Sequence, residues 1–107
     1  MTGVQTCALP IYIVKARARL DLKKYWRWIA HDNLDAADRF LIAAEDTFST
    51  IARNPEIGSQ RSFRRLAGVR SWPVKGFEKF LVFYKKRAGA VIVGRVIHGR
   101  RDLPGFF

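Results

Sequence analysis

The side chains of this chain that can do chemistry are mostly cations, and they gather toward its C-terminal end. Arg61, Arg64, Arg65, Arg70, Arg95, Arg100 and Arg101 surround one histidine, His98. Guanidinium groups hold phosphate or carboxylate oxygens in bidentate fashion, and an imidazole can pass a proton near neutral pH. Metal-free RNA cleavage needs a base for the 2′-hydroxyl, an acid for the leaving oxygen and cations for the phosphate. His98 can serve as that acid or base, with Arg95 and Arg61 as its cationic companions. The same set serves equally well as a docking surface, and a histidine that follows a strand is more often structural or capping. His31, the other histidine, falls at a helix C-terminus and reads as a partner of the helix dipole. Trp72, Phe77 and Phe83 can stack on bases where exposed, but so small a chain needs most of its aromatics for its core.

Other chemistries find no motif. The sequence holds no Gly-rich phosphate loop, no Cys/His metal spacing and no nucleophile motif with a matching base, so neither a metal site nor a cofactor is expected. Cys7 is the single cysteine, which rules out an intrachain disulfide and makes the cytoplasm the default location. No apolar run approaches the roughly 20 residues that span a bilayer, so no membrane role is expected. The net charge of +11 is unevenly placed. Residues 12–52 carry seven Lys/Arg and six Asp/Glu, whereas residues 53–107 carry thirteen and three. Such asymmetry suits a polyanionic partner, either nucleic acid or an acidic protein.

The elements that must position these groups follow from periodicity. With 107 residues, 49% of them hydrophobic, the chain makes one globular domain. Met1–Ile11 does not share the pattern of the rest and resembles the translation of a sequencing-library adapter. It is expected to be a non-native or disordered extension without function, leaving residues 12–107 as the domain. Tyr12–Ala16 is a short strand. From about Ala18, the residues Ala18, Leu22, Tyr25, Trp26 and Ile29 form one apolar helical face, with Trp28 off the stripe. Asn33 ends this helix in a left-handed conformation, and Asp35 caps a second helix with a stripe from Ala36 to Ala52. Small residues on that stripe predict an antiparallel helical hairpin, and Pro55 closes it.

Asn54–Gly68 reads as a loop, and Val69–Val74 as a strand in which Pro73 marks an edge or a bulge. Phe80–Tyr84 and Val91–Ile97 are apolar runs joined by a basic turn ending in Gly89, which predicts a hairpin covered on both faces. The fold class is therefore α+β, with an N-terminal short strand and a helical hairpin packed on a twisted antiparallel sheet, in the order β-α-α-β-β-β.

Five stretches carry a family resemblance: ARARLDLKKYWRWIA, the NLDAADRF helix start, ARNPEIGSQR, LAGVRSWPVKGFEKFLVFY and VIVGRVIHGRRDLPGFF. Through them the chain from Tyr12 to Phe107 resembles the ParE/RelE superfamily of type II toxin–antitoxin toxins, and its ParE branch more closely. The resemblance implies a toxin neutralised by a cognate, ParD-like antitoxin whose C-terminal segment wraps it. ParE-like toxins act on DNA gyrase or its DNA complex so that cleaved DNA accumulates, and they are not themselves nucleases. RelE-like toxins instead cut mRNA in the ribosome, and this is the alternative activity. Many nuclease relatives end in a histidine–tyrosine arrangement, whereas here no tyrosine follows Tyr84. Binding rather than catalysis is thus the leading expectation. The expected target-binding residues are Arg61, Arg64, Arg65, Trp72, Arg95, Arg100 and Arg101. The antitoxin contacts are expected at Trp28 and Arg95. An acidic amphipathic antitoxin segment would lie along the helical hairpin and extend over the basic sheet.

Overall fold

A computed structural model describes residues 11–61, 68–87 and 89–102, with Arg61 described in its backbone alone. The element order is β1 (Tyr12–Val14), α1 (Ala16–Asp32), α2 (Leu34–Arg53), β2 (Ser59–Arg61), β3 (Val69–Val74), β4 (Phe77–Arg87) and β5 (Ala90–His98). The strands form one five-stranded sheet in the order β1-β5-β4-β3-β2. The two helices pack against one of its faces.

The helical hairpin and the long β4–β5 hairpin appear where periodicity placed them, and four details differ. β1 pairs with β5 in parallel, Tyr12 opposite Val91, so the sheet is mixed at that edge. Both helices intervene between β1 and the remaining strands, and a connection that long allows parallel entry. Within the expected loop 54–68, Ser59–Arg61 forms β2, antiparallel to β3. A polar three-residue edge strand carries no hydrophobic signal. Asn33 is extended (φ −156°, ψ 100°), not left-handed, and its side chain accepts from the Ala36 N–H at 3.0 Å. It therefore caps α2 in place of Asp35, which sits in the first turn and favours the positive helix end. Lys85, Lys86 and Arg87, expected in the turn, extend β4 by pairing with Ile92, Val91 and Ala90.

β3 is an interior strand. Pro73 is accommodated there by a register shift between Pro73 and Val74, the bulge that was one of the two options for it. The β3–β4 turn uses Gly76 at φ +82°, a conformation that strongly favours glycine.

The core lies between helices and sheet. Ala18 and Tyr25 from α1, with Phe40, Ala44, Phe48 and Ile51 from α2, bury themselves against Val74, Phe80, Val82, Tyr84, Val91, Val93 and Val96. Phe80 sits at its aromatic centre, 4.9 Å from Tyr25 and 4.7 Å from Phe40 between ring centroids. Each such buried ring contributes about 1.5–3 kcal/mol. On the opposite face Val69, Phe83 and Ile97 form a second, smaller cluster with Leu81 beside it. No helix is long and apolar enough to cross a membrane among the described residues.

Candidate functional site

A bulge in β5 decides where the cations go. The register against β4 jumps from Arg95 opposite Phe83 to Val93 opposite Tyr84, which leaves Gly94 unpaired. Before the bulge Val91 and Val93 face the helices; after it Val96 does, while Ile97 belongs to the other face. The extra residue thus swaps the alternation, and Arg95 is kept out of the helix-side core.

β1 ends at Val14, so the rest of the β5 edge has no strand beside it. Two side chains of α1 take over its ladder. Lys15 N–H still donates to the Val93 carbonyl at 3.0 Å. The Asp21 carboxylate then accepts from Val96 N–H at 3.0 Å, and the Tyr25 hydroxyl accepts from His98 N–H at 2.9 Å. Four residues of helix rise about 6 Å and two residues of strand about 6.6 Å, so residues four apart on α1 match residues two apart on β5. Asp21 is also held in two hydrogen bonds by Arg95, Nε at 2.8 Å and Nη2 at 3.1 Å. Those bonds raise the arginine's affinity for its proton above the usual value. Only 5% of Asp21 is exposed, so without these partners its charge would be strongly destabilising.

The five residues His98–Asp102 form a turn clamped from several sides. Tyr25 donates its hydroxyl hydrogen to Asp102 Oδ2 at 2.6 Å while accepting from His98, so one oxygen holds both ends of the turn. Within the turn Asp102 N–H donates to the His98 carbonyl at 2.9 Å, and Arg101 N–H donates to His98 Nδ1 at 3.0 Å. Gly99 N–H ties the turn to the Lys79 carbonyl at 2.7 Å. The His98 ring stands edge-on to Phe80 and Trp28, with centroids 4.9 and 5.6 Å away. Burial therefore lowers its pKa below the ordinary histidine value. The Tyr25 hydroxyl lowers the pKa of Asp102, helped by Lys24 and Arg101. Burial first, and then Asp102, raise that of Tyr25. Trp28 is 45% exposed, and the Arg101 guanidinium lies over its ring at 4.6 Å, a cation–π contact. Arg100, the preceding residue of the turn, is exposed.

On the sheet face away from the helices lies a groove of about 830 Å³. Ile13, Val69, Phe83 and Ile92 supply apolar lining, and Lys15, Arg17, Lys85, Arg87 and Arg95 supply cations. Ile13 remains 51% exposed there. Lys15 and Arg17 come from the half of the chain that is nearly neutral. The parallel β1–β5 pairing carries them to the basic half.

The expected site residues are thus dispersed. Arg95 and His98 share β5 but lie on opposite faces, three residues apart. Arg61 lies on β2, three strand spacings from β5, or roughly 14 Å. Trp72 is half-buried and packs against the helix-side core. Arg64 and Arg65 lie outside the described residues. Arg70 is structural: it donates to the Glu56 and Gly58 carbonyls and to the Glu56 carboxylate at 3.2, 2.7 and 2.9 Å. Among the described residues, Arg101, His98 and Trp28 come together, with Arg100 next to Arg101 in the same turn. Among the described residues no group of three metal-ligating side chains forms. Asp21, Tyr25 and Asp102 were not expected at a site. A carboxylate at position 21, within an otherwise apolar helical face, was the one available signal, because a buried charge must find a partner.

Comparison with known proteins agrees with this architecture. The model of a family described as the ParE toxin of type II toxin–antitoxin system, parDE, matches residues 12–103. A solved structure of the chromosomal ParDE TA system from P. aeruginosa superposes with a TM-score of 0.67 at 12% identity, covering 86% of this chain and 97% of that one. At that identity the likeness is one of fold. No curated protein matches the sequence.

Proposed function

On the premise that the chain belongs to the ParE toxin family of type II toxin–antitoxin systems, we propose that it inhibits DNA gyrase and stabilises the enzyme's cleaved DNA complex. It does so by binding, with the turn His98–Asp102 as its working edge. The observation that carries binding over catalysis is the state of His98. It is 8% exposed, its Nδ1 accepts from Arg101 N–H, and its ring is held between Phe80 and Trp28. Arg95, the cation a nuclease site would pair with it, is engaged by Asp21 on the other face of the strand. What the turn presents outward is positive charge on Arg100 and Arg101, which suits the phosphates of gyrase-held DNA or an acidic surface beside them.

The cognate antitoxin would occupy the groove on the open sheet face. Apolar lining among five cations fits an acidic amphipathic segment, with aliphatic side chains toward Ile13 and Ile92 and carboxylates toward Lys15, Arg17, Lys85 and Arg87. Opposite charge would speed association, and the buried apolar contacts would slow release. Trp28 lies at the other end of β5 and gives the same segment a second anchor when it continues around α1.

Purified protein added to gyrase and relaxed plasmid should block supercoiling and accumulate cleaved DNA, and the antitoxin should reverse both. Primer extension on translated message should show no toxin-dependent cuts. Cuts at defined positions together with unimpaired supercoiling would replace this reading with RelE-like mRNA cleavage.

A further inference from the structure

Building on the reading of the His98–Asp102 turn as the working edge, the geometry points to Tyr25 as the residue that poses it, a positioning residue that reaches the target only through Arg101. Tyr25 is fully buried, and its ring already has a sufficient role in the core between Phe40 and Phe80. The hydroxyl does something packing does not require. It takes the buried N–H of His98 and gives its own hydrogen to Asp102, closing the turn across both ends.

The second consequence is electrostatic. Arg101 has two competing places to rest its charge, the Trp28 face at 4.6 Å and the Asp102 carboxylate, whose Oδ1 is 3.9 Å from its Nε. Lys24, the other cation near Asp102, stands off at 3.7 Å. Among the described residues the shortest bond to that carboxylate is the one from the Tyr25 hydroxyl, 2.6 Å to Oδ2. Remove it, and Asp102 loses that donor while the half-exposed Arg101 guanidinium stands 3.9 Å from its other oxygen. Arg101 then turns inward to the carboxylate and its charge is withdrawn from the outer surface. The hydroxyl therefore keeps the turn's cation available as well as in place.

The test is Tyr25→Phe, which keeps the ring and removes only the oxygen, crossed with Arg101→Ala. Growth arrest is read against inducer dose, so that the result does not depend on which target is poisoned. Tyr25→Phe should raise the dose needed for arrest by about tenfold, the scale of one hydrogen bond to a charged group. In the Arg101→Ala background it should add nothing. An equal loss in both backgrounds means a general structural role and overturns the proposal, as does no loss in the first. Amide hydrogen exchange supplies the readout when Arg101→Ala alone abolishes arrest. Gly99–Asp102 should exchange faster in Tyr25→Phe while Val82, Val93 and Val96 keep wild-type protection. Uniform acceleration, or none, counts against it. Full toxicity in an Arg100→Ala/Arg101→Ala protein would identify a different failure, that of the turn as the working edge, and this proposal would fall with it.

Discussion

Asp21 and Arg95 are 74 positions apart in the chain, yet they meet through two hydrogen bonds of 2.8 and 3.1 Å at the one stretch of β5 that has lost its neighbouring strand. The pair does two things together. Asp21 accepts the orphaned N–H of Val96, and in doing so fixes the arginine at the rim of the sheet groove. The buried charge of Asp21 is tolerable because of the arginine, which makes the pair a point of fragility.

Asp21→Ala should destabilise the protein by about 2–4 kcal/mol, because it removes two hydrogen bonds from a part-buried guanidinium and the acceptor of a buried backbone donor. Asp21→Asn should cost less, since its carboxamide oxygen can still accept from Val96. Chemical denaturation of the two variants checks the order, and equal losses would show that the backbone bond contributes nothing.

Gly58 should tolerate no side chain. A β-carbon there would lie 2.6 Å from the Tyr84 hydroxyl and 2.9 Å from the Ser71 carbonyl. That hydroxyl is itself engaged, accepting from Gly58 N–H at 2.9 Å and donating to the Pro55 carbonyl at 2.7 Å. Gly58→Ala is therefore expected to lower stability by about 1–3 kcal/mol through overpacking and the broken latch. A thermal midpoint equal to wild type would contradict the geometry.

Stability should fall on mild acidification. Burial holds the His98 pKa below the ordinary value, so between the two values the unfolded chain binds more protons than the folded one. The stabilisation is fully present above the unfolded value of about 6.5 and is lost as pH drops from there toward the folded value. Protonation also removes the acceptor for Arg101 N–H. His98→Asn keeps an acceptor near the same place and has no proton to gain, so its melting temperature should stay flat over that window. Asp102, also lowered, acts in a separate range, losing its contribution only as pH falls below about 3.9. On the proposed reading, in which the imidazole serves the turn and not a proton transfer, the same His98→Asn protein should block gyrase supercoiling as the wild type does, and loss of that inhibition would count against the reading.

Much of this molecule was legible from residue order. The stripe through Ala18, Leu22 and Tyr25 and the longer one through Phe40, Ala44, Phe48 and Ile51 mark two helices, because a 3.6-residue period leaves no other way to bury those side chains together. The apolar runs in the middle of β4 and filling β5, with a glycine between them, mark the hairpin for a similar reason. Trp28, displaced from its stripe, was recognisable as a residue with some other contact. β2 was not legible, since three polar residues at a sheet edge bury too little to leave a pattern. Asn33 was placed at the right junction but in the wrong conformation, because capping by a side chain and termination in a left-handed turn use the same residue type.

The sequence by itself determined the fold class, the family resemblance and the concentration of positive charge in the second half, all of which follow from composition and local period. Tertiary structure alone decided which cations remain outward. One unpaired residue, Gly94, swaps the faces of β5 and so sets Arg95 on the open side. The early end of β1 exposes two backbone donors that only Asp21 and Tyr25 are placed to meet. Bulges and strand ends are matters of pairing between distant segments, and pairing leaves no periodic trace in either segment alone.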